Sequence, residues 1–187
     1  MDALMAALVA GVLAQAGDRT AWLAAILADR YRPATVIAAA ALALGAAGAL
    51  ACAASLLLAG KLTPEASRLF LALALMLQGA GGLVRAKAPD RLTGWKIGGF
   101  ATGLLGLFIL AFGDGLQFIV LSLAIRADLP ATAAIGATLG SLAVIAPAAL
   151  LGERAWLALP QLAFRRVAAA LFLLAGVGLA LSALRLV

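Results

Sequence analysis

The chain contains no histidine and one cysteine, Cys52. A lone cysteine excludes any disulfide within the chain, and the missing histidines exclude a Cys/His zinc cluster. Histidine is also the side chain that ordinarily titrates near neutral pH, so proton chemistry would fall to carboxylates in altered surroundings. Cys52 lies in a run of small residues and reads as a packing residue. Charge is scarce as well. Only 12% of the 187 residues are charged and 66% are hydrophobic, whereas a soluble domain carries about 25% charged residues. So little polar surface cannot cover a water-soluble globule, and lipid is the expected solvent. Basic residues outnumber acidic ones, 14 to 8, but they fall between apolar runs. A nucleic-acid footprint would gather them on one face among aromatics, so no nucleic-acid partner is expected.

What the chain does have is long apolar runs. A helix needs about 20 residues to cross a hydrocarbon core of roughly 30 Å. Six runs qualify, at 3–28, 33–60, 67–85, 97–125, 130–151 and 163–184. The segments between them are polar: Asp29-Arg30-Tyr31-Arg32-Pro33, Lys61-Leu62-Thr63-Pro64-Glu65, Arg85 to Lys96, Arg126-Ala127-Asp128-Leu129-Pro130 and Gly152-Glu153-Arg154. Proline just after a charged cluster suits the first turn of a new helix. Basic residues divide unevenly between the two sides. Arg30, Arg32, Arg85, Lys87, Arg91, Lys96, Arg154, Arg165 and Arg166 would share one, and Lys61, Arg68, Arg126 and Arg185 the other. By the positive-inside rule the 85–96 link lies in the cytoplasm and both termini lie outside.

The two halves echo each other. "GDRT" at 17–20 is matched by "GDGL" at 113–116, Arg30 by Arg126, and Pro33-Ala-Thr by Pro130-Ala-Thr. Arg68 and Arg165 hold corresponding places near the third run of each half. Recurrence of charged residues and prolines argues for duplication. Three spans per unit, an odd number, would invert one half relative to the other, a common transporter plan with its site at the bilayer midplane. The expected architecture is therefore an all-α integral membrane protein of six transmembrane helices in two inverted three-helix repeats. The first repeat covers 1–88, the link 89–96 and the second repeat 97–187.

Of the acidic residues, Asp2, Asp29, Glu65, Asp90, Asp128 and Glu153 fall at a terminus or in the polar segments; Asp18 and Asp114 alone fall within the runs. Each lies twelve residues before its loop arginine, roughly 18 Å of helix, near mid-membrane. A carboxylate there costs several kcal/mol unless paired, hydrated or protonated, which marks it as a functional candidate. The plain alternative is a structural pair between Asp18 and Arg19. Adjacent helical residues do not face each other, however, and Asp114 is followed by Gly115 rather than a base. Glycine precedes both aspartates, so either helix can unwind there and free carbonyls as further oxygen ligands.

Ala14-Gln15-Ala16 also has the form of a signal-peptidase site, but the Met1-Asp2 start lacks the basic residues of a signal peptide. "QGAGG" at 78–82 lacks the lysine of a phosphate-binding loop and reads as small-residue helix packing. Trp22, Trp95 and Trp156 read as interfacial anchors or packing residues, Trp22 bordering the site one turn after Asp18.

Two three-helix halves, each opening on a Gly-Asp motif, with "GDRT…RYRP" in the first, resemble the Golgi calcium/manganese–proton exchanger family. That family includes the transmembrane-protein-165 type of animals and small bacterial manganese exporters. The resemblance spans essentially the whole chain and implies that the motif acids bind a divalent cation and exchange it against protons. Departures accompany it. Gln15 and Ala111 stand where the motif glutamates would be, Gly115 and Leu116 replace the basic and hydroxyl residues, and the closing Gln is Ala21 in the first motif but Gln117 in the second. Three-residue helical spacing would set Gln15 beside Asp18 and Gln117 beside Asp114. The implied site is then Asp18, Asp114, Gln15, Thr20 and Gln117, hard oxygen ligands suited to Mn²⁺, Ca²⁺ or Mg²⁺, with Arg19 tuning the aspartates.

The leading expectation is a secondary transporter of a divalent cation, Mn²⁺ before Ca²⁺, by exchange with protons in a bacterial inner membrane. The cation is cargo, and no resident cofactor is implied. Loss of both glutamates motivates one alternative, a non-transporting scaffold or accessory subunit; an exporter of another small solute is a further one. No Ser/Cys–His arrangement supports an enzyme, and homo-oligomerisation stays open.

Overall fold

The computed structural model describes residues 2–84 and 86–185. Met1, Arg85, Leu186 and Val187 lie outside the described residues, and so does the part assigned to Arg85 in the charge asymmetry. The described residues form eight helices: α1 (Asp2–Gln15), α2 (Arg19–Arg30), α3 (Pro33–Leu58), α4 (Pro64–Leu83), α5 (Gly99–Phe112), α6 (Leu116–Ile125), α7 (Ala131–Ala158) and α8 (Gln161–Ala183). Among these, α3, α4, α7 and α8 are long and apolar enough to cross a membrane. The pair α5–α6, bent by 69°, makes a fifth span if counted as one. Leucines such as Leu57, Leu150 and Leu174 stay about 70% exposed, as the outer surface of a multi-pass membrane protein requires.

The count of six helices is corrected to eight because the first and fourth runs are each broken at their aspartate. Gly17 takes a left-handed φ of 72°, open to glycine and strained for residues with a Cβ. Asp18 then caps α2, its carboxylate accepting from the Thr20 amide at 3.1 Å. The second break places Asp114 between Gly113 and Gly115, after α5 has ended. A second correction concerns Gly152-Glu153-Arg154, expected between spans. There α7 is only kinked, at Gly152 (φ 73°). The kink is held by Asp29, whose carboxylate accepts from the Glu153 amide at 3.0 Å, and the chain leaves the helix at Leu159.

Six helices form an interlocked body. α1 and α2 pack on α7, α5 and α6 pack on α3, and α3 meets α7. The first crossing is close enough that a Cβ on Gly11 would stand 2.6 Å from the Ala137 carbonyl oxygen. α4 and α8 instead pack along each other, touching the body chiefly through α4 against α6 and α8 against α1. Glycines from the "QGAGG" run make the α4–α8 contact, as expected. A Cβ on Gly79 would come within 2.9 Å of the Ala169 carbonyl oxygen. Gly79→Val should therefore destabilise the protein by about 1–3 kcal/mol through overpacking, read as a lowered midpoint of thermal unfolding in detergent. An unchanged midpoint would mean that α4 and α8 do not pack this closely.

Contacts sort the loops into two ends. At one, Arg30 donates to the Leu92 carbonyl, Arg91 pairs with Glu153 at 2.6 Å, and Tyr31 covers Gly99. We call this the link end. At the other, Asp2 shares a small pocket with Arg126 and Asp128, and Arg185 lies 4.0 Å from Glu65.

Candidate functional site

Breaking two helices inside an apolar body turns unpaired backbone groups and the flanking carboxylates inward. Both breaks line one cavity of about 390 Å³, walled by Asp18, Arg19, Gln78, Asp114, Gly115 and Arg165 among others. Val84, Ala86 and Lys87 line it as well, so it reaches the link end. Its apolar lining includes Leu13, Leu77, Phe118 and Phe172, which supply surroundings where charge is poorly screened.

The two aspartates are held differently. Asp18 is fully engaged. One carboxylate oxygen accepts from the Thr20 amide and hydroxyl at 3.1 and 3.2 Å, and the other pairs with Arg165 at 3.0 Å. Both charged side chains are largely buried, 13% and 16% exposed, so this pair is not a loose surface contact. Arg165 also donates to the carbonyls of Gly81 at 2.9 Å, Val84 at 3.0 Å and Gly17 at 3.4 Å. It thus ties the end of α4 to the first break. Asp114 is the opposite case: its Oδ2 is buried and has no hydrogen-bond partner among the described residues. A buried carboxylate with a free oxygen on a residue that lines a cavity is a strong attractor for a cation or a proton.

The structure brings Asp18, Asp114 and Arg19 to the cavity and leaves Gln15, Thr20 and Gln117 off its wall. Thr20 is buried, its hydroxyl bonded to Asp18. Gln15 closes α1 fully buried, with neither amide atom partnered among the described residues, and Gln117 Oε1 is likewise buried without a partner among them. The helical adjacency expected for Gln15–Asp18 and Gln117–Asp114 is corrected. Each pair straddles a break, linked by turn hydrogen bonds from the Asp18 amide to the Gln15 carbonyl and from the Gln117 amide to the Asp114 carbonyl. Arg19 is exposed, and Asp18 pairs with Arg165 rather than with it. Trp22 borders a second cavity of about 310 Å³ that shares Asp18 and Arg165 with the first. Replacing Gln15 by Leu removes an unsatisfied buried amide at similar volume, so thermal stability in detergent should hold or rise by about 1 kcal/mol. A marked fall would show that the amide has partners in the folded protein.

A single family model, described as Divalent cation/proton antiporter GDT1, matches the chain twice, over residues 3–90 and 99–186. The chain belongs to this family. It is therefore a multi-pass membrane transporter and not an enzyme. Among curated proteins, one from Vibrio cholerae serotype O1 named "Putative manganese exporter" is 32% identical over 180 residues, covering 93% of this chain and 88% of that protein. No solved structure matches.

In this antiporter family member, sequence reasoning missed two wall residues. Gln78 is the only polar side chain between Arg68 and Arg85, a signal masked by the glycines that follow it. Its amide fills the space beside Gly115, where a Cβ would collide with Gln78 Oε1. Arg165 was visible as the counterpart of Arg68, but its long reach to Asp18 was not.

Proposed function

We propose that the protein exports Mn²⁺, or a closely similar divalent cation, in exchange for protons through the cavity between the two breaks. The observation that carries this reading is Asp114, which lines a cavity shared with Asp18 and whose Oδ2 is buried without a hydrogen-bond partner among the described residues. Asp114 and Asp18 bind cation and protons in turn. Gln78 contributes an amide oxygen from α4, and Gln15, Thr20 and Gln117 support the breaks from behind. Such a set is rich in hard oxygen and free of nitrogen and sulfur ligands, which suits Mn²⁺, Ca²⁺ or Mg²⁺. The name of the Vibrio relative favours manganese.

The inverted duplication belongs to the same proposal, with units 1–88 and 97–187 joined by the 89–96 link. Two separate matches to one family model support it. So does the packing, in which exchanging the halves carries the α1 and α2 contacts with α7 onto those of α5 and α6 with α3. In this reading the membrane is a bacterial inner membrane, and the charge asymmetry supports a cytoplasmic link with both termini outside.

Purified protein in proteoliposomes tests the function: a Mn²⁺ gradient should drive proton movement, read by a pH-sensitive dye. The non-transporting reading draws on one observation, the Asp18 carboxylate already occupied by Arg165. Absence of coupled flux with Mn²⁺, Ca²⁺ and Mg²⁺ would decide for it.

A further inference from the structure

The cavity reaches one end of the molecule, and the helix contacts depart from exchange symmetry around it. α4 packs on α6, whereas α8 makes no comparable contact with α2. Gln78 of α4 stands against the second break, and Arg165 of α8 reaches the first. The arginine at the corresponding place in α4, Arg68, is exposed and makes no ion pair among the described residues. Its corresponding aspartate, Asp114, has an oxygen without a partner among the described residues. One arginine–aspartate pair is thus formed and its repeat-related twin is open.

We propose that Arg68 and Arg165 are alternating counter-ions: Arg165 holds Asp18 when the cavity opens to the link end, and Arg68 holds Asp114 when it opens to the other. This rests on the inverted-repeat transporter reading above. In an inverted-repeat carrier, the second state is the first with the two halves' roles exchanged. Applied here, the exchange brings α8 onto α2 and releases α4 from α6. Arg68 now lies ten residues from Gln78 along α4, roughly 15 Å toward the far end. It enters the site only when that end of α4 moves in. The α4–α8 pair is suited to such rocking, being tightly packed within itself and sparsely attached to the six-helix body.

The pairing has a chemical consequence. In each state one aspartate is neutralised by a tethered guanidinium and the other is free, so neither state leaves two bare carboxylates in an apolar cavity. A divalent cation that engages both aspartates must displace whichever arginine is in place. Arg68 and Arg165 therefore set the ease with which the carrier changes state, and they act without being ligands.

Cross-linking of the full chain in native membranes tests this without relying on transport. In a Cys52→Ala background, the pair Asp18→Cys/Arg165→Cys and the pair Arg68→Cys/Asp114→Cys should both be joined by a bifunctional maleimide of arginine-like span. Joining of the first pair alone overturns the proposal, as does failure of both. A transport readout accompanies it. Arg68→Gln should slow Mn²⁺ exchange about tenfold, within the range of site-to-site couplings, and Arg68→Lys should restore most of the rate. An Arg68→Gln protein that exchanges at the wild-type rate overturns the proposal and leaves the transport function standing. If the unmodified protein moves no divalent cation while both pairs cross-link, the function fails and the alternation stands.

Discussion

Asp114→Asn is expected to abolish divalent-cation exchange and to leave the protein folded. The substitution keeps the size of the side chain and removes its negative charge. One of its carboxylate oxygens, Oδ2, makes no hydrogen bond among the described residues, so little structural bonding is lost. The change falls on cargo instead. Altering even an outer partner of a metal site costs 10–100-fold, so loss of one of two carboxylates should weaken apparent affinity by about a hundredfold or more. Mn²⁺ uptake into proteoliposomes, with thermal unfolding measured on the same preparation, separates transport from stability. Uptake at the wild-type rate by a folded Asp114→Asn protein would remove Asp114 from the site.

The second large effect is at Asp18, which has two tasks that substitutions can divide. Its carboxylate caps α2 and pairs with Arg165. Asparagine caps a helix about as well as aspartate, whereas alanine forfeits about 1 kcal/mol. Both remove the charge. Asp18→Asn should therefore lose exchange about as completely as Asp114→Asn, but it should also destabilise the fold. It strands the Arg165 guanidinium, which is largely buried, and breaking a buried pair from one side costs up to about 3–5 kcal/mol. The three carbonyls that Arg165 keeps should hold the loss below that. Asp18→Ala should be less stable again by the value of the cap. Equal thermal midpoints for wild type and Asp18→Asn would show that the ion pair contributes nothing to the fold.

Much of this protein follows from local sequence alone. Apolar runs of spanning length dictate a membrane-embedded helical chain, because no folded arrangement of so few charges could satisfy water. Charged residues and prolines recur in both halves, and their recurrence singled out Asp18 and Asp114, since a carboxylate in an apolar run has no structural reason to appear twice. The prolines at 33 and 64 begin α3 and α4, as their fixed φ and missing N–H require.

Other features depended on groups distant in the chain. Runs 3–28 and 97–125 are continuous in hydropathy, yet each is two helices, because a capping carboxylate at Asp18, a left-handed Gly17 and the glycines around Asp114 compete with helix propagation over three or four residues. Hydropathy averaged over twenty residues does not register that competition. Gln15 and Gln117 were placed beside the aspartates by helical spacing, and the breaks remove the spacing on which that rested. Gln78 and Arg165 come from the last helix of each half, and sequence distance hides such neighbours until α4 and α8 pack. Composition and repetition thus determined the solvent, the helical class and the two aspartates. Tertiary packing alone decided that one aspartate is neutralised by an arginine 147 residues away while the other has no ion pair among the described residues, because ion pairing depends on distance in space.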